Sequence, residues 1–114
     1  LAEQDVFANV VGGLRIEEPA ADLALAAAIT SSLRDLPVRA DAVLIGEVGL
    51  SGELRRVGHL VTRLNEAAKL GFKAAIVPRR ISKAEPLPDN IQILEARSLR
   101  EALNLALVAE TMKK

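Results

Sequence analysis

A chain of 114 residues with no cysteine, one histidine and a formal net charge of zero is long enough for one domain with its own core. The lack of cysteine excludes disulfides, thiolate metal sites and cysteine nucleophiles, and a single histidine leaves zinc only all-carboxylate help. Half of the residues are hydrophobic but only Phe7 and Phe72 are aromatic, so Ala, Val, Leu and Ile must build the core, and few rings remain for a ligand to stack on.

Asp5 to Val11 alternates as a strand does, Gly12-Gly13 marks a turn or bulge, and Leu14 to Ile16 reads as a second short strand. Glu17-Glu18-Pro19 opens a helix, with proline at the first helical position and carboxylates at the positive end of the dipole. From Ala20 to Ile29 only Asp22 is polar, which predicts a helix buried nearly all round. Thr30 to Asp35 is expected to return it to solvent, and Pro37 stops it. No stretch is long enough to span a membrane, since Asp22 and Arg34 bracket the longest apolar one.

Ala42 to Val48 reads as a buried strand, and Gly49, Ser51 and Gly52 as a hairpin-like turn into Glu53 to Val57. A second helix spans about His59 to Leu70, with Leu60, Leu64, Ala67 and Ala68 as its apolar stripe and Gly71 just past its end. Ala74 to Val77 is a strand stopped by Pro78, Arg79 to Asn90 a polar loop, and Ile91 to Leu94 another strand. Ser98 and Glu101 form a capping box for a last helix that turns Leu99, Ala102, Leu103 and Ala106 inward. Strands and helices alternate after an opening strand pair, so the class is α/β (α+β) with a mixed sheet and packed helices in a single domain, residues 1–114.

Charge is unevenly spread. Residues 1–54 carry a net of −6, residues 55–83 a net of +7 and the remainder −1. The basic stretch comprises Arg55, Arg56, Arg63, Lys69, Lys73, Arg79, Arg80 and Lys83 against Glu66 alone. A solvated face is the ordinary reading of such a run, but so many cations without compensating acids point to a polyanion. Arginine dominates, which suits phosphate because the guanidinium fork binds two oxygens. With so few aromatic rings, the expected contact is to the nucleic-acid backbone, single- or double-stranded, with little sequence preference and strong salt dependence.

Other features have structural readings. Asp22 is expected to cap a neighbouring backbone group or to pair with an arginine across a subunit boundary. His59 sits at a helix start, facing solvent or a DNA phosphate. Of Ser31, Ser32, Ser51, Ser82 and Ser98, none has a general base placed beside it by the sequence. Gly46, Gly49 and Gly52 are regularly spaced, yet no Gly-Lys-Ser/Thr opens a helix, so they are not a phosphate loop.

Four segments taken together carry a resemblance: Asn9-Val10-Val11-Gly12-Gly13, Glu18-Pro19-Ala20-Ala21-Asp22-Leu23-Ala24, Gly46-Glu47-Val48-Gly49-Leu50-Ser51-Gly52-Glu53 and Gly71-Phe72-Lys73-Ala74-Ala75-Ile76-Val77-Pro78. In this order they resemble the C-terminal Lon-protease-like domain of the RadA (Sms) family of bacterial DNA-repair proteins. The resemblance implies a ribosomal protein S5 domain 2-like fold, like the Lon proteolytic domain. It places Ala20 where an active Lon domain has its serine, and Val61 where that domain has its lysine. Neither can carry a proton, so the resemblance implies a domain that does not cleave peptides; an active peptidase with a displaced dyad is the competing reading. It further implies a cytoplasmic protein of which this chain, beginning at Leu1, is a piece. That parent would be a DNA-dependent ATPase that forms a hexameric ring and works with the RecA recombinase in branch migration. No cofactor is expected in this piece; ATP, Mg and Zn are expected elsewhere in the parent. An oligomerisation module that does not touch DNA is the alternative function.

Overall fold

The computed structural model describes residues 19–79 and 86–108. The expected strands at residues 5–11 and 14–16, the Gly12-Gly13 turn and part of the polar loop, with Arg80, Ser82 and Lys83, lie outside them. A 3-10 turn, Pro19–Ala21, leads into α1 (Asp22–Arg34). After it come β1 (Ala42–Leu44), β2 (Glu47–Val48), β3 (Leu54–Arg55), α2 (Leu60–Lys69), β4 (Ala74–Pro78), β5 (Gln92–Ala96) and α3 (Leu99–Ala106).

Strand pairs of both senses occur. Among the described residues a parallel sheet of three strands has the order β1-β4-β5, with Ala42 beside Ala74 and Pro78 beside Ala96. The antiparallel pair β2-β3 forms its own two-stranded sheet. All five residues of β4 are buried, as a central parallel strand covered on both faces requires. One face, with Ala42, Leu44, Ala74, Ile76 and Ala96, packs against Leu23, Ala26 and Ala27 of α1 and Leu99, Ala102, Leu103 and Ala106 of α3. The other face, with Val43, Ala75, Val77 and Ile93, packs against Leu64 and Ala67 of α2. Alternation along each strand thus sorts the core into two layers. Alanines at facing positions hold the place that aromatic rings would otherwise fill.

The helix ends follow the sequence closely. Gly71, at φ 96°, closes α2: its N–H donates to Ala68 O (3.1 Å) and the Phe72 N–H to Ala67 O (3.1 Å). Ser98 Oγ accepts from the Glu101 N–H at 3.1 Å, while Glu101 Oε1 reaches the Arg97 N–H at 2.7 Å, one residue beyond the usual partner. Leu99, Ala102, Leu103 and Ala106 are all buried, as their spacing predicts.

Two expectations are corrected. The first helix is buried on one side only. Leu23, Ala26, Ala27 and Thr30 are covered, whereas Ala24 and Ala28 are exposed and Leu33 is 58% exposed. Composition could not reveal this, because alanine suits either environment. Thr30 accordingly faces the core, not solvent. The run Ala42–Val48 is not one strand either. Ile45 N–H still bonds to Ile76 O (3.0 Å), but the Gly46 peptide turns to the helix start, donating to Ala20 O and accepting from the Leu23 N–H, both at 3.0 Å. That exchange ends the parallel ladder and sends Glu47 into the second sheet. A Cβ on Gly46 would lie 3.3 Å from Pro78 Cγ, so glycine permits the close approach.

Candidate nucleic-acid interface

The parallel sheet divides the predicted basic residues between its two ends. Lys73 precedes β4 and Arg79 follows it; six residues of extended chain, at ~3.3 Å each, separate them by ~20 Å. Lys69, at the end of α2, belongs with Lys73 at the end where the strands start. There the Arg39 guanidinium is bound to Asp41 by two hydrogen bonds of 3.0 Å, which holds the Asp41 carboxyl below the ordinary aspartate range. The described members of the basic stretch therefore do not share one end of the sheet. A run in sequence folds into strand, helix and turn, and a parallel strand carries its two flanks to opposite ends of the sheet.

Neighbours also reduce the charge on offer. Glu53 takes two hydrogen bonds from Arg55, 2.9 and 3.2 Å long. Its carboxyl is held below the usual glutamate range, first by its own backbone N–H and then by Arg55. Lys69 lies 3.7 Å from Glu66, one helical turn earlier, with both side chains mostly exposed. Arg63 Nε donates to Gly58 O at 2.9 Å. Arg56, Lys73 and Arg79 are exposed.

At the end where the strands stop, the β2-β3 hairpin docks. Leu54 N–H donates to Arg97 O (3.0 Å), Leu99 N–H to Gly52 O (2.7 Å), and Glu53 bridges to Ser98. The hairpin is a three-residue turn. Gly52 N–H bonds to Gly49 O (3.0 Å), Gly49 N–H to Glu53 O (2.9 Å), and Gly52 stands at φ 85°. The Glu53 carboxylate lies where a Cβ on Gly49 would be. All three spaced glycines thus have conformational or packing roles. This end collects Arg55, Arg56 and Arg79 from the basic stretch, together with the exposed Arg97 and Arg100. The last two lie beyond the basic stretch, where acids and bases nearly cancel, so net charge along the sequence does not single them out. Their position was still legible: they flank the Ser98 cap, so they had to sit where β5 gives way to a helix.

Asp22 takes the first of its two readings. Its Oδ2 accepts from the Val48 N–H at 3.1 Å, and the residue is 8% exposed. Burial raises its pKa; the Val48 N–H opposes the rise and the nearby Glu47 charge adds to it. His59 is exposed in the left-handed region at φ 60°, with no side-chain cap bond to the helix it precedes.

Between the 3-10 turn, β1 and α2 lies a largely apolar groove of about 430 Å³. Ala20 lines it, and Val61, half-buried on α2, does not. Among the described residues, Thr62 is the one hydroxyl on its wall, and Arg63 and Glu66 are its charged groups. Among the described residues no group of three His, Cys, Asp or Glu could hold a metal ion, and no helix is long and apolar enough to cross a membrane.

The family model described as subunit ChlI of Mg-chelatase matches residues 2–81. The chain belongs to this family. Among curated proteins it is similar to those named DNA repair protein RadA. It is 49% identical over 105 residues to the one from Escherichia coli, 50% over 102 residues to that of Pseudomonas aeruginosa and 43% over 107 residues to that of Halalkalibacterium halodurans. These alignments cover 92%, 90% and 94% of the chain but only 23%, 22% and 23% of the relatives. The chain therefore spans about a quarter of their length.

Proposed function

We propose that this ChlI-family domain is a DNA-binding and ring-forming module of a RadA-type DNA repair and recombination protein, and that it does not cleave peptides. One observation carries the binding reading: exposed arginines gather at the end of the parallel sheet where its strands stop. In open α/β sheets that end is the usual place for ligands. Backbone phosphates are the matching ligand, because arginine forks suit them and aromatic rings for base stacking are scarce. The relatives named for DNA repair support the context. The absence of peptidase activity rests on the chemistry of Ala20 and Val61, neither of which has a proton to give or a lone pair to take one.

A single domain offering a few phosphate contacts binds weakly. Several copies around one duplex add their contacts through avidity, which is the reason to propose a hexameric ring. ATP, Mg and Zn belong, on this proposal, to the parts of the parent outside this chain. The same holds for the cooperation with the RecA recombinase in branch migration and for the cytoplasmic location.

The test is DNA binding by the full-length protein across a salt series. Affinity should fall linearly in log-log form, with a slope of about 0.9 per phosphate engaged. Reversing Arg55, Arg56, Arg79 and Arg80 to Glu should abolish most of it. Unchanged binding by that variant refutes the assigned end. A ring without DNA affinity at low salt supports the oligomerisation-only alternative, and serine-directed labelling accompanied by casein cleavage refutes the loss of peptidase activity.

A further inference from the structure

β4 and β5 run parallel with Pro78 beside Ala96, so the next residues on the two strands are Arg79 and Arg97. The Arg79 N–H donates to Ala96 O at 3.0 Å as part of that last ladder step, so Arg79 leaves β4 while still against β5. Both arginines are exposed. Neighbouring parallel strands lie about 4.8 Å apart, so two guanidinium-bearing residues leave the sheet side by side. Like charges in adjacent strand positions destabilise a sheet. A sequence with no use for the pair would gain by placing an acid at either position.

Carboxylates at this end have interactions of their own, the half-buried Glu95 on β5 among them. Glu53 is bound to Arg55. Glu101 spends one oxygen on the Arg97 backbone N–H and leads into α3. Among the described residues no carboxylate forms an ion pair with the side chain of Arg79 or Arg97. Arg100, exposed in the first turn of α3, and Arg56, beyond the docked β3, add positive charge on either side.

We infer that Arg79 and Arg97 form a two-arginine clamp for one phosphate group. On the function proposed above, which this inference deepens, that phosphate belongs to a nucleic-acid backbone. Two forks can offer four N–H groups to one phosphodiester or free phosphate, and the anion removes the repulsion between them. Arg97 is the new member. It lies outside the basic stretch and is brought in by strand register alone.

The experiment is a double-substitution cycle in the full-length protein, with Arg79→Gln, Arg97→Gln, the pair together, and Lys69→Gln/Lys73→Gln as a charge-matched control at the other end of the sheet. Binding of a labelled mixed-sequence oligonucleotide, single- and double-stranded, is measured against salt. The expected result is an affinity loss of about tenfold for Arg97→Gln, a double variant little worse than either single one, and a control within twofold of the parent. Equal losses for control and clamp variants, or an unchanged Arg97→Gln, overturn the clamp and leave DNA binding standing. The second arm uses inorganic phosphate. The clamp predicts a rise in melting temperature that is lost in Arg97→Gln. That result with no oligonucleotide binding keeps the clamp and refutes its assignment to nucleic acid. No response to either probe refutes both.

Discussion

Asp22 offers the sharpest test of how this fold is held. Its carboxylate is buried and accepts from the Val48 N–H at 3.1 Å, fastening the start of α1 to β2. Asp22→Ala leaves that donor facing apolar surroundings without a partner, which costs about 1–3 kcal/mol. For a domain near this size each kcal/mol lowers the melting temperature by about 4–8 °C, so a drop on the order of 10 °C is expected. Asp22→Asn keeps an oxygen acceptor and removes the buried charge. The pH dependence separates these effects. Burial raises the Asp22 pKa in the folded chain, so the folded state holds the proton more tightly than the unfolded one. Its contribution is fully present below the unfolded value of about 3.8 and is lost as pH rises through the raised folded value. The asparagine variant lacks this loss, so it should gain on the parent from pH 4 to 7 and match or exceed it at neutral pH. Urea unfolding of parent, Ala and Asn chains at pH 4, 5.5 and 7 reads the three curves. An alanine variant as stable as the parent, or an asparagine variant that fails as badly as alanine at every pH, refutes the account of a charged cap held at a desolvation cost.

Three further outcomes follow from the geometry. Gly46→Ala should lower stability by roughly 1–3 kcal/mol in the same assay, because the new methyl meets Pro78 Cγ, at the end of the neighbouring parallel strand, at 3.3 Å. Leu64→Ala should cost about 2–5 kcal/mol, since this fully covered side chain joins α2 to the face carrying Ala75 and Val77; a loss below 1 kcal/mol refutes the two-layer core. Glu53→Gln should release the Arg55 guanidinium, raise DNA affinity a few-fold and steepen the salt dependence by up to about 0.9 in slope, with filter binding as the readout.

Much of this fold was legible because the signals were local. Gly71 had to follow a helix, Ser98 and Glu101 had to start one, and Gly49 and Gly52 had to form a turn. What escaped depended on partners far away in sequence. Gly46 reads as part of a strand until Ala20 and Leu23 claim its peptide groups. The alanines of α1 read as buried until the sheet shows which of them it covers. Asp22 left two options open, and only the position of Val48 chose between them.

The interface shows the same division in sharper form. Net charge along a stretch is a one-dimensional quantity, and DNA meets a surface. In a helix, a basic run spreads around the axis; in a parallel strand, it is cut in two by the strand's length, as Lys73 and Arg79 are. The surface charge of such a fold is therefore set by which residues stand at strand exits, where chains from distant parts of the sequence come into register. Arg79 lies in the basic stretch and Arg97 lies 18 residues later among compensating acids, yet the pairing of Pro78 with Ala96 brings them together. Moving Arg97 two residues along β5 would keep the composition, the local charge and the helix cap, and would break up the pair. If phosphate binding survived that move, register would have no part in it, and the charge of the stretch alone would suffice.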